Sequence, residues 1–144
     1  MKIALVTDEF HPINKFVYEW LQTQGMNCAL FGSYLAEGDV PWVKAIAEAA
    51  QAVANGTCEE GIFFCWSGTG ASMVANKTKG LRAALCTDPE TATLARVWNH
   101  ANVLILSNRS LTNDKADSIL KAWFAPYDQE TGKSGVEHLM KLDE

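Results

Sequence analysis

An α/β fold is predicted by two features of the sequence. Short, uninterrupted apolar runs alternate with segments of helical periodicity, and polar residues follow most of these runs. An uninterrupted apolar strand is buried on both faces, which is typical of a parallel sheet covered by helices. The chain has 144 residues, of which 48% are hydrophobic, so we expect a single domain spanning residues 1–144.

The apolar runs predict five strands, at residues 3–6, 28–31, 62–65, 83–86 and 103–106. Apolar residues at helical spacing predict a first helix that contains Phe16 and Leu21 and ends before Gly25. Further helices are expected at residues 41–54, 71–78, 89–98 and 113–124. Parallel strands joined by helices have right-handed crossovers, so the prediction is a three-layer α/β/α sandwich with a five-stranded, parallel, Rossmann-like sheet.

Composition argues against several classes of function. The formal net charge is −5 and no long basic run is present, which disfavours nucleic acid as a partner. No stretch approaches the roughly 18 apolar residues of a membrane span, and no signal-peptide pattern is found, so the expected compartment is the cytoplasm. The four cysteines lack the spacing of a zinc site and are expected to be reduced thiols.

The last part of the chain, residues 126–144, is a polar tail. It has one weak helical pattern, formed by Val136, Leu139 and Met140. A domain of this size has little internal use for such a segment. We therefore expect the tail to pack on a partner subunit.

Candidate functional residues follow the predicted strands, at the edge where open parallel sheets bind ligands. Asp8 and Glu9 follow the first strand, and Arg109 follows the fifth. The segment from Trp66 to Gly70 leads from the third strand into a helix, and its glycines and the helix N-terminus together predict an anion cradle. A tight connection without a ligand stays open as the alternative, and a nucleotide-binding domain is a weaker one.

A longer motif includes this segment. The string G-I-F-F-C-W-S-G-T-G-A-S-M-V-A-N-K, from Gly61 to Lys77, resembles the signature G-x-x-x-C-G-T-G-x-G-x-S-x-x-A-N-K of the ribose-5-phosphate isomerase B / galactose-6-phosphate isomerase family. The segments that begin at Gly80 (G-L-R-A-A) and at Asn99 (N-H-A-N-V-L) resemble further segments of that family. The matches are collinear and span roughly residues 2 to 125.

The resemblance implies an aldose–ketose isomerase that acts on a sugar phosphate or related sugar through a cis-enediolate, without a metal or other cofactor. It implies that Cys65 is the catalytic base and that Asp8 binds or helps to open the sugar. It assigns the enediolate cradle to Trp66, Ser67, Gly68, Thr69 and Gly70. Asn99 and Arg109 match residues that contact substrate oxygens. The family's site lies between two subunits, so a homodimer or a dimer of dimers is implied.

Several positions depart from the family pattern. Glu9 stands where the family has a histidine, Trp66 replaces the first glycine of the loop, and Trp98 replaces the ring-opening histidine. Of two phosphate-binding arginines in the family's tail, the first is matched by Lys133 and the second is replaced by Glu137. Glu9, Trp98 and Lys133 are therefore candidate substrate contacts in an isomerase of altered specificity.

The alternative that these departures favour is a non-catalytic sugar or sugar-phosphate binding protein on the same scaffold. Outside the motif, His11 is interpreted as facing solvent. Arg96 is interpreted as pairing with a surface carboxylate, an interaction that contributes little to stability.

Overall fold

The computed structural model describes all 144 residues and confirms the predicted α/β fold. The five strands are β1 (Lys2–Thr7), β2 (Asn27–Gly32), β3 (Glu60–Cys65), β4 (Ala83–Leu85) and β5 (Val103–Ser107). The helices are α1 (Pro12–Thr23), α2 (Trp42–Ala54), α3 (Thr69–Asn76), α4 (Pro89–Asn99), α5 (Asn113–Phe124) and α6 (Lys133–Lys141). No helix has both the length and the apolar character that crossing a bilayer requires.

All neighbouring strands are parallel, and their order in the sheet is β2-β1-β3-β5-β4. Alternate residues of each strand face opposite layers, because side chains alternate along a strand. Ile3 and Leu5 pack with helices α1, α4 and α5, whereas Ala4 and Val6 pack with α2 and α3. The strand β2 lies on one side of β1, and β3 lies on the other side. The carboxyl ends of β1 and β3 therefore form the topological switch point, where such sheets bind ligands.

The tail forms the sixth helix and contacts its own chain. Gly132, just before α6, lies so close to α4 that an added Cβ would meet Val97 O and the backbone of Trp98. At the other end of α6, Asp143 Oδ2 accepts a hydrogen bond of 2.8 Å from the Gly80 N–H. These contacts give the tail a place within the protomer, and contact with a partner subunit stays a prediction.

One buried ion pair links the sheet to the helical layer of α4 and α5. Arg96 Nη2 lies 2.9 Å from Glu60 Oε2, and the two side chains are only 11% and 12% exposed. Trp123 Nε1 donates to the other carboxylate oxygen of Glu60 at 2.9 Å, and Arg96 Nη1 donates to Ala101 O at 2.7 Å. The interpretation of Arg96 as a partner of surface carboxylates is therefore wrong, because β3 presents Glu60 beneath α4.

We predict that Glu60→Gln lowers the free energy of unfolding by about 3–5 kcal/mol, because it leaves the Arg96 charge buried without its counter-ion. The control is Glu19→Gln, which removes an exposed pair with Lys15 at 3.8 Å and should change stability by less than about 1 kcal/mol. Urea denaturation of both variants measures the difference. Equal losses would show that burial does not set the strength of the Glu60–Arg96 pair.

Candidate functional site

Cys65 is the last residue of β3, and the chain turns sharply after it. Gly68 has φ +85°, in the left-handed region that favours glycine, and its N–H donates to Cys65 Sγ at 3.2 Å. A Cβ added to Gly68 would lie 2.5 Å from Leu85 Cδ1, so the turn also needs the absence of a side chain. The glycine therefore brings a backbone N–H to the sulfur, which lies at the carboxyl edge of the sheet.

Helix α3 begins directly after this turn and leaves backbone donors free. The N–H groups of Gly70 and Ala71 donate to no acceptor within the chain, as is usual in the first turn of a helix. The hydroxyls of Ser67 and Thr69 lie 2.8 Å apart beside them. Free amides at the positive end of a helix stabilise an oxyanion, so this arrangement can serve as the cradle predicted from the glycines.

Asp8 faces the cradle from the end of β1. It lines the same cavity as Cys65, and its Oδ1 atom is buried without a hydrogen-bond partner. Burial raises the pKa of the Asp8 carboxyl above its ordinary value and outweighs the backbone hydrogen bonds from Asp8 and Glu9 that lower it. A carboxyl group that has a raised pKa and lines a cavity is suited to exchanging protons with a ligand.

A chain of partly buried side-chain hydrogen bonds connects the ends of β1 and β5 with α1. Asn14 Nδ2 donates to Asn108 Oδ1 at 2.8 Å, and Asn108 Nδ2 donates to Thr7 Oγ1 at 3.1 Å. Thr7 Oγ1 in turn donates to the Glu9 carbonyl, and Asn14 Oδ1 accepts from the His11 N–H. The network holds the backbone on both sides of Asp8, and sequence reasoning did not identify it.

Cys65 and Asp8 line one cavity of about 250 Å³, together with Trp66, Ser67, Thr69, Gly70 and Trp42. Trp42 is the first residue of α2 and was not predicted as a site residue. The only sequence signal for it was its place after Pro41, at the predicted start of a helix. The structure thus brings Asp8, Cys65 and most of the glycine segment together, as the motif implies.

Glu9 and His11 form a pair beside this cavity. His11 Nε2 lies 3.6 Å from Glu9 Oε1, and the His11 ring packs against the Trp66 ring with centroids 5.8 Å apart. His11 is half-buried, with Nε2 itself buried, so the interpretation that it faces solvent is wrong. Glu9 does not line the cavity that contains Cys65.

The remaining candidates lie partly at the carboxyl ends of the strands and partly at their amino ends. Arg109 lies beside the cradle, since its backbone N–H donates to Trp66 O at 3.0 Å. Trp98 and Asn99 are the last residues of α4, at the amino ends of the strands. Asn99 borders a separate cavity of about 350 Å³ there. Lys133 begins α6 next to them. These three residues are separated from Cys65 of their own chain by the length of the sheet.

We predict that Asp8→Asn stabilises the protein at pH 7. The folded-state pKa of Asp8 lies above its unfolded value of 3.8, so native Asp8 binds its proton more tightly than the unfolded chain does. Stability is therefore lost as the pH rises from the unfolded pKa to the folded one, and the loss is complete above the folded pKa. The gain in Asp8→Asn should be larger at pH 7 than at about pH 4, as measured by urea unfolding.

The control for this measurement is Asp88→Asn. The pKa of Asp88 is lowered by hydrogen bonds from the backbone and side chain of Thr91, so its carboxylate stabilises the fold at neutral pH. This variant should lose stability at pH 7, opposite in sign to Asp8→Asn. An Asp8→Asn variant that is less stable than wild type at pH 7 would contradict the account of Asp8.

Comparisons with known proteins identify one family. The model of the Ribose/Galactose Isomerase family matches residues 3–142. The chain is 35% identical to ribose-5-phosphate isomerase B of Escherichia coli (strain K12), over 68% of this chain and 66% of that protein. It is also 35% identical to D-erythrulose-4-phosphate isomerase of Pectobacterium atrosepticum, over 74% of this chain and 70% of that protein.

The fold agrees with solved structures along the whole chain. A structure of ribose-5-phosphate isomerase B from Clostridium thermocellum superposes with a TM-score of 0.90 at 30% identity, covering 99% of this chain and 97% of the other. The family match and this superposition both include the cradle and the tail. The chain belongs to the ribose/galactose isomerase family.

Proposed function

We propose that this protein interconverts the aldose and ketose forms of a sugar phosphate through a cis-enediolate, with Cys65 as the base. The observation that carries the proposal is the convergence of Cys65, Asp8 and the free Gly70 amide on one cavity. Proton removal next to a carbonyl needs a base on one side of the carbon and oxyanion donors within reach of the carbonyl oxygen.

The reaction needs only proton transfers. As a thiolate, Cys65 Sγ takes the proton from C2 of the aldose, and the electrons of that bond form C1=C2 while the carbonyl electrons move to O1. The N–H group of Gly70 binds the resulting enediolate oxygen. Asp8 takes the proton from O2 and returns it to O1. The C2=O bond then forms, and C1 takes the proton back from the Cys65 thiol, which completes the ketose.

A second copy of the chain is proposed to complete the site. The amino ends of the strands, opposite to Cys65, carry Trp98, Asn99 and Lys133. These residues can therefore reach a substrate bound at Cys65 only from another protomer. Asn99 supplies an amide for substrate hydroxyls, and Lys133 supplies a positive charge for the phosphate. The proposed assembly is a homodimer or a dimer of dimers.

The test is exchange of carbon-bound hydrogen in deuterated water, followed by NMR on four- to six-carbon aldose and ketose phosphates and on the unphosphorylated sugars. We expect deuterium at the carbon next to the carbonyl of at least one sugar phosphate. Binding of sugar phosphates without any exchange would instead indicate a non-catalytic sugar-binding protein.

We predict that Cys65→Ala lowers this exchange rate by about 10²–10⁴-fold, the usual loss on removing a general base. The fold should survive, because the truncation removes a single sulfur atom. Cys58→Ala is the matched control, since Cys58 is also buried but does not line the cavity. A folded Cys65→Ala variant that exchanges at the wild-type rate would place the base elsewhere.

We further predict that inactive variants complement each other on mixing. Cys65→Ala and Asn99→Ala should each be weak alone. After subunit exchange, a mixed dimer contains one site with both native residues, so the exchange activity should rise above that of either variant. A double variant carrying both changes in one chain, mixed with wild type, controls for subunit exchange itself. Failure of two exchanging variants to complement would contradict a site that takes Cys65 from one chain and Asn99 from the other.

A further inference from the structure

Two tryptophans border the cavity that contains Cys65, and they come from different elements. Trp66 follows β3 and Trp42 begins α2, and they are 55% and 42% exposed. Exposed indole rings on a monomeric surface are usual at places where a ligand or partner covers them. Here both rings border a cavity whose other lining residues are the proposed catalytic groups and the cradle.

Trp66 is held firmly in this position. Its carbonyl accepts hydrogen bonds from the Ser107 hydroxyl at 2.9 Å and from the Arg109 N–H at 3.0 Å. Its ring packs against His11, which is itself paired with Glu9. With its backbone hydrogen-bonded and its ring in contact with His11, Trp66 forms one wall of the cavity.

Trp42 forms a second wall, against the backbone of the cradle. A Cβ added to Gly70 would lie 2.7 Å from Trp42 Cζ3 and 2.9 Å from Cη2, so the indole ring covers the space above this glycine. Gly70 is therefore required for the ring to lie where it does. The two rings border a cavity of about 250 Å³. This volume is smaller than the ≈300–1,000 Å³ of pockets that bind drug-sized ligands.

The chemistry of the lining points to an open-chain ligand. Asp8 and Cys65 are the only titratable side chains among the seven lining residues. Opening a sugar ring requires one group to take the anomeric proton and another to protonate the ring oxygen. If Cys65 acts on carbon, Asp8 is the only such group left among the residues with which this protomer lines the cavity. A four-carbon sugar with a phosphate on C4 has no free hydroxyl there to close a five-membered ring, so it needs no opening.

We infer that Trp66 and Trp42 set the chain length of the substrate and that the preferred substrate is an open-chain four-carbon aldose or ketose with a terminal phosphate. This inference rests on the proposed isomerase function and narrows it. On this inference, the two indole rings exclude the additional H–C–OH units of a five- or six-carbon sugar phosphate. One carbon more or less in a fitted pocket changes kcat/KM by about 10–200-fold.

The test compares kcat/KM for four-, five- and six-carbon aldose phosphates in wild type, Trp66→Ala and Trp42→Ala, with thermal melts to verify folding. Wild type should prefer the four-carbon substrate by at least about tenfold over the five-carbon one. Trp66→Ala should shift this ratio toward the five-carbon substrate by about tenfold or more, and Trp42→Ala should shift it in the same direction. Leu35→Ala, at an exposed leucine outside this cavity, should leave the ratio unchanged.

The outcomes separate the two claims. A wild-type protein that isomerises sugar phosphates but prefers five or six carbons, or whose preference is the same in folded Trp66→Ala, would overturn the inference and leave the isomerase function standing. A wild-type protein that exchanges protons with none of these substrates would overturn the proposed function, and this inference with it.

Discussion

The candidate site depends on a network of hydrogen bonds that joins the buried side chains of Thr7 and Asn14 through Asn108. These side chains connect the carboxyl ends of β1 and β5 and the first turn of α1. Polar groups in such a place are strongly constrained, because an unmade hydrogen bond in a buried position costs about 1–3 kcal/mol. Since Asn108 N–H also donates to the Cys65 carbonyl at 3.0 Å, the network places the ends of all three central strands.

Function in this arrangement opposes stability at one position. Asp8 has a buried oxygen without a partner, and its carboxyl is harder to ionise than in the unfolded chain. A structural residue would gain from a hydrogen-bond donor there, whereas a residue that must receive a substrate hydroxyl has to stay unpaired until the substrate binds. The rigid network next to Asp8 supplies the stability that the site itself lacks.

The fold could be predicted from the sequence because its signals are local. Uninterrupted apolar runs predicted the strands. The observed bounds lie within one residue of the predicted ones, except that β3 begins two residues earlier. The glycine segment was identified for the same reason, since Gly68 needs a backbone conformation that other residues rarely adopt. Cys65 and Asp8 could be placed at one edge of the sheet from the rule that parallel strands end together.

Other features depend on contacts between distant segments and could not be read from the sequence. Trp42 enters the site from α2 because the start of that helix lies over Gly70. Arg96 is buried because β3 presents Glu60 beneath α4, a partner 36 residues away that no local pattern indicates. The position of Asn99 relative to Cys65 also follows only from the topology, because α4 runs from the carboxyl ends of the strands to their amino ends.

Alkylation of the cysteines with iodoacetamide at neutral pH, read by mass spectrometry at each thiol, tests the role of Cys65 most directly. Burial raises the pKa of Cys28 to about 11 and that of Cys86 to about 12, and it also raises the pKa of Cys58. These three thiols should therefore react slowly. We expect modification of Cys65 to proceed in step with the loss of proton exchange and to be slowed by a bound sugar phosphate. Full exchange activity in protein alkylated at Cys65 would contradict its assignment as the base.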